Sequence, residues 1–115
     1  MGSVGRGGGK AYYSNFGAGV DVAAPGGDTT GGITTNGVLS TLNTGTTTPG
    51  ADSYAYYQGT SMATPHVAGV VALMLARAPG LTPDQVEARL KASTRPLPVS
   101  CTQGCGTGIV DASAA

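Results

Sequence analysis

The sequence predicts an α/β chain, and three observations carry that expectation. The stretch from Ser61 to Arg77 is apolar around its whole circumference when wound as a helix, the pattern of a buried helix. Two shorter runs before it, Val38–Leu42 and Tyr54–Gln58, are rich in β-branched and aromatic residues and flank a Pro49-Gly50 turn, which predicts a hairpin. After it, Thr82-Pro83-Asp84-Gln85 has every part of a helix start: threonine cap, proline at the first position, acid in the first turn and glutamine three residues past the cap.

Size and charge bound what such a chain does. Its 115 residues make one domain at most, long enough to bury a workable core. Twenty glycines, seven prolines and many threonines predict a loop-rich chain, while 40% apolar content argues against outright disorder. Six Lys/Arg balance six Asp/Glu with no run of either sign, so neither nucleic acid nor a membrane surface is expected as a partner. The apolar run Val67–Ala76 is too short to cross a bilayer. No charged start followed by an apolar segment and cleavage site is present, so the expectation is a chain without its own secretion signal.

Taken in order, residues 1–10 hold five glycines and predict a flexible entrance. Ala11–Phe16 reads as a short strand, and Val20–Ala24 as a buried one stopped by Pro25-Gly26-Gly27. Asp21 within it is expected to be structural, hydrogen-bonded to backbone or to a polar neighbour. Residues 26–37 and 43–53 are loops by composition. The long helix carries Pro65 in its first turn, where a missing N–H costs little, and stops at Ala78-Pro79-Gly80. The second helix runs to about Ser93, with Val86 and Leu90 as its apolar stripe. Residues 94–108 form a crossing rich in Pro, Cys and Gly, and Gly108–Asp111 reads as a short strand leading into a third helix cut off at Ala115.

The chemistry concentrates at Gly59-Thr60-Ser61. Glycine lets the backbone turn sharply, and a serine at a helix start lies beside unpaired N–H groups that steady negative charge. A serine there is most often a plain helix cap. Here, however, Gly59-Thr60-Ser61-Met62-Ala63-Thr64-Pro65-His66-Val67-Ala68-Gly69 resembles the nucleophile motif of the subtilisin-like serine peptidases, the subtilases, at all eleven positions. Tyr12–Gly17, Asp21–Gly26 and Cys105–Ala112 add further matches, so residues 1–115 resemble the C-terminal portion of a subtilase catalytic domain.

The resemblance implies half of a three-layer fold, a parallel sheet with helices plus a hairpin before the nucleophile helix. It implies a serine endopeptidase acting on polypeptides, extracellular in location, with Ser61 as nucleophile. Ser61 and Thr60 would supply half an oxyanion hole, with Met62 beside them, and Tyr13 would lie on the leaving-group side of the cleft; packing is the competing role for Tyr13. The family's aspartate, histidine and oxyanion asparagine belong to segments upstream of anything in this sequence. His66 is the sole histidine and sits five residues after Ser61 on the same helix, roughly 140° around it, so it is not expected to be the base.

The spacing of Cys101 and Cys105 permits either a small disulfide loop or two free thiols, and likeness to secreted subtilases implies the disulfide. No cofactor is expected. Loop carbonyls with Asp28 or Asp52 are the candidate calcium ligands the resemblance offers, although no oxygen spacing there is diagnostic. The expected partners are a polypeptide substrate and either the missing N-terminal half of the domain or a second copy of the chain. Two further classes stand beside the peptidase: a non-catalytic binding module that keeps this half of the cleft, and a hydrolase of activated esters that uses Ser61 without a full triad.

Overall fold

The computed structural model describes all 115 residues, Met1–Ala115. Strand β1 (Gly2–Val4) pairs in parallel with β2 (Ala23–Pro25), registering Gly2 on Ala23 and Val4 on Pro25. Ile109 extends this small sheet by a parallel bridge to Ala23, and Arg95 pairs antiparallel with Ile109. Two 3-10 turns, Thr30–Gly32 and Thr34–Asn36, lead into a separate antiparallel hairpin of β3 (Val38–Asn43) and β4 (Asp52–Tyr57), with Val38 opposite Tyr57 and Asn43 opposite Asp52. Helix α1 (Thr60–Arg77) follows at once, and α2 (Pro83–Ala92) after a short turn.

One apolar cluster joins the small sheet to the helices: Val22 just before β2, Ala24 within it, Ala63, Val70 and Met74 from α1, Leu90 from α2, and Val110. The hairpin matches its sequence prediction within two residues, and the Asn43 side chain organises its loop, accepting from the Gly45 and Gly50 N–H groups and donating to the Gly50 carbonyl. The start of α2 also matches. Thr82 Oγ1 accepts from the Gln85 N–H, and the Gln85 side chain accepts from the Thr82 N–H.

Five expectations are corrected. Residues 2–4 are not a loose entrance but a buried strand: Gly2, having no side chain, fits against Ala23, and the Ser3 N–H is satisfied by Ser14 Oγ at 2.7 Å. Ala11–Phe16 is a turn rather than a strand, closed by Ser14 N–H on the Ala11 carbonyl. The strand expected at 20–24 is the shorter Ala23–Pro25, and Gly108–Asp111 makes only single bridges before one turn in which the Ala115 N–H reaches the Asp111 carbonyl. Finally, α1 is apolar all round but buried on one side only. Ala63, Val70 and Met74 face the sheet, while Leu73 is 60% exposed.

Candidate active site

The nucleophile turn is built from beneath. Gly59 adopts φ 155°, ψ 162°, a conformation that costs any residue with a Cβ, and so turns the chain from β4 sharply into α1. Its N–H donates to the Gly26 carbonyl at 3.0 Å, which ties the turn to the end of β2. Gly26 has no room for a side chain, since a Cβ would strike Ser3 Oγ and the Gly59 carbonyl. The glycines at 26 and 59 therefore let two backbones touch where the helix begins.

Ser61 stands exposed on the first turn of α1. The Thr60 and Ser61 N–H groups donate to no carbonyl or side chain of the protein, as the first turn of a helix leaves them. The next two amides, of Met62 and Ala63, close onto the Gly59 carbonyl. Two free donors at the positive end of an eighteen-residue helix dipole are suited to an oxyanion. Beside Ser61 an open cleft of about 320 Å³ runs between Val38, Leu39 and Ser40 of β3 and Met62, Pro65 and His66 of α1. Met62 is half-buried against Gly59.

His66 lines that cleft, but its Nδ1 lies 2.8 Å from the Met62 carbonyl of its own helix, so one ring nitrogen is committed to backbone. No carboxylate is placed to orient the ring as a triad acid would. Asp21 lies elsewhere. Its carboxylate is exposed and meets Lys91 Nζ at 2.7 Å, and that hydrogen bond and charge hold its pKa below the usual 3.8. Lys91, shared with Glu87 at 2.6 Å, is pushed up to about 12. The carboxylate of Asp28 is likewise lowered, here by hydrogen bonds from Thr30, and neither it nor Asp52 belongs to a group of three metal-ligating side chains.

Of the two adjacent tyrosines, Tyr13 takes the packing role that competed with a place on the cleft. Tyr13 turns inward, its hydroxyl 2.9 Å from the Gly26 carbonyl and 2.8 Å from Ser3 Oγ, and it holds the floor of the nucleophile turn. Tyr12 is 69% exposed and accepts from Gln58 Nε2 at 2.9 Å, one residue before the turn. The adjacent pair carried no signal to say which faced in; only the position of Gly26 decides it. Cys101 and Cys105 form a disulfide, and the loop it closes presents the Gly104 carbonyl to the Gly17 N–H at 2.8 Å.

Comparison with known proteins agrees with this geometry. Over 109 residues the chain is 60% identical to an extracellular protease of Xanthomonas campestris pv. campestris, covering 94% of this chain and 17% of that protein. It is 42% identical over 110 residues to an extracellular basic protease of Dichelobacter nodosus, again 17% of the relative's length. Among solved structures, a protease of Pseudoalteromonas arctica PAMC 21717 superposes with a TM-score of 0.92 at 59% identity, over 98% of this chain and 33% of the other. Fervidolysin of Fervidobacterium pennivorans, described as a keratinolytic enzyme related to subtilisin, superposes at 0.68 with 32% identity, over 88% of this chain and 16% of its own. The chain thus spans between a sixth and a third of these relatives. With the glycine-floored serine turn in place and the subtilase family model matching residues 2–108, this chain belongs to the subtilase family as a C-terminal portion of its catalytic domain.

Proposed function

We propose that this chain carries the nucleophile of a secreted serine endopeptidase acting on polypeptides, and that the base, the acid and a side-chain amide oxyanion donor come from polypeptide outside these 115 residues. The observation that carries it is Ser61, exposed at the start of α1 beside an open cleft, with its own N–H and that of Thr60 unpaired. In the proposed reaction Ser61 Oγ attacks the scissile carbonyl and loses its proton to the external base, while the Ser61 N–H receives the developing oxyanion; the Thr60 hydroxyl is a second donor within the chain. Met62 shapes the cleft wall next to the reacting carbonyl. Calcium is not required by this proposal, and the extracellular location follows the relatives.

A second reading, a binding module without catalysis, is favoured by one observation, the commitment of His66 Nδ1 to the Met62 carbonyl. Labelling with a fluorophosphonate and peptide-nitroanilide turnover separate the two. The peptidase reading expects no measurable turnover by the chain alone, and slow labelling that vanishes in Ser61→Ala and accelerates when an N-terminal subtilase fragment is added. Absence of labelling with and without that fragment would favour the binding module. Turnover by the chain alone, lost in Ser61→Ala, would overturn the external-base argument and identify a self-sufficient hydrolase.

A further inference from the structure

A second cavity exceeds the Ser61 cleft in volume. This hollow of about 540 Å³ lies at the carboxyl end of β1 and β2, between the turn at Gly5–Gly8, the segment Arg95–Pro98 and the Asn36-Gly37 approach to β3. Arg6 and Arg95 both line it, and no acidic residue does. Neither arginine is in an ion pair, since both ion pairs of the chain belong to Lys91. The nearby Asp28 is turned to Thr30, which donates to it through both its N–H and its hydroxyl.

The backbone under both arginines is fixed. Gly8 N–H closes onto the Gly5 carbonyl at 2.9 Å, and Arg95 exchanges two hydrogen bonds with Ile109 at 2.9 and 2.8 Å. Gly8, at φ 78°, lets the turn approach Pro98 so closely that a Cβ would lie 2.8 Å from its ring. The same lining holds unspent donors. The N–H groups of Arg6, Gly7 and Gly27 donate to no protein group, and Gly27 is buried. A buried amide without a partner is costly, and clustered free amides beside unpaired guanidinium groups are the donor set that receives a planar or tetrahedral oxyanion.

We propose that this hollow is a binding site for an oxyanion group, a carboxylate or a phosphate, held by Arg6, Arg95 and the amides of the Gly5–Gly8 turn and Gly27. The site does not depend on the peptidase reading. A carboxylate would come from an acidic side chain or C-terminus of a peptide, a phosphate from a free or ligand-borne phosphoryl group.

The test titrates the 115-residue chain with inorganic phosphate and, separately, with N-acetyl-glutamate amide, at ionic strength held constant with chloride, following backbone amide resonances. Saturable shifts at Arg6, Gly7, Gly27 and Arg95 are expected with at least one probe, and the tighter probe names the source. Arg6→Gln and Arg95→Gln should each weaken binding by about tenfold or more, the loss of one charge-assisted contact. Both arginines are exposed, so both variants should keep the parental circular dichroism. No saturable shift with either probe up to about 10 mM, or affinity unchanged in both folded variants, would overturn the site.

Discussion

The hydroxyl of Tyr13 and the N–H of Gly59 converge on one oxygen, the Gly26 carbonyl, at 2.9 and 3.0 Å. Through that atom a side chain from the 11–16 turn supports the backbone that presents Ser61. Tyr13→Phe removes the donor and leaves Ser3 Oγ without this partner, so it should cost about 1 kcal/mol in urea denaturation. It should also slow fluorophosphonate labelling of Ser61 in the complemented protein, whereas Tyr12→Phe should leave stability unchanged. Equal stability of Tyr13→Phe and the parent would remove Tyr13 from the support of the turn.

His66→Gln tests the exclusion of the sole histidine as base. The residue is exposed and its one bond is local to α1, so stability should change by no more than about 0.5 kcal/mol. Labelling of Ser61 should stay within a few fold. A loss as large as that of Ser61→Ala, in a folded variant, would make His66 the base.

How much of this was legible beforehand depended on how local the signal was. The cap of α2 and the loop held by Asn43 lie within ten residues of their partners, and sequence pattern found both. The Ser61 turn was legible through its motif and through Gly59. What pattern did not show were pairings across long separations. Gly2 was masked as a loop glycine because its reason, close approach to Ala23, lies twenty-one residues away. The inward turn of Tyr13 depends on a carbonyl thirteen residues on, and the outward turn of Tyr12 on Gln58, forty-six residues on. The period of α1 correctly gave a helix apolar all round, but not which side this portion of the domain covers.

The ion pair of Asp21 with Lys91 ties the segment before β2 to α2 and gives a pH dependence of known sign. The folded-state pKa of Asp21 lies below its usual 3.8, so its contribution is present above that pH and is lost as pH falls through the folded value. That of Lys91 lies above its usual 10.5, so its contribution is present below that pH and fades as pH rises through about 12. The urea midpoint of Asp21→Asn, compared with the parent, should converge with it below pH 3.8 and fall behind at neutral pH, with the gap shrinking in salt. A gap independent of pH would assign the effect to packing.

The disulfide closes a loop with a sequence separation of four, Cys101 to Cys105, and Cys105 is buried. By loop entropy alone its removal should cost about 2 kcal/mol. Reduction should also release the Gly104 carbonyl from the Gly17 N–H and quicken exchange of that amide. Urea midpoints with and without reductant, read beside exchange at Gly17, check this. An unchanged midpoint would mean that the loop is held by its backbone bonds.

The outer side of α1 leads to the last expectation. Leu73 is 60% and Leu75 36% exposed, and Ala68, Gly69, Ala72 and Ala76 lie open around them, so an apolar helix face stands in water. An apolar groove with Val71, Leu75, Leu81, Val86 and Leu90 continues it toward α2. Strand β1 offers no open edge beside it, since on the side away from β2 Val4 bridges Lys10, the Ser3 carbonyl accepts from the Ala11 N–H and the Ser3 N–H donates to Ser14 Oγ. A large apolar patch by itself drives association. The chain is therefore expected either to self-associate through this face or to gain stability when an N-terminal subtilase fragment is supplied in trans. Light scattering over a dilution series should show mass rising with concentration, or a one-to-one complex with the fragment, and Leu73→Glu should abolish either without unfolding the chain. A monomer at every concentration, indifferent to the fragment and with the amides of Val67–Leu75 strongly protected, would show that α1 is stable with this face in solvent.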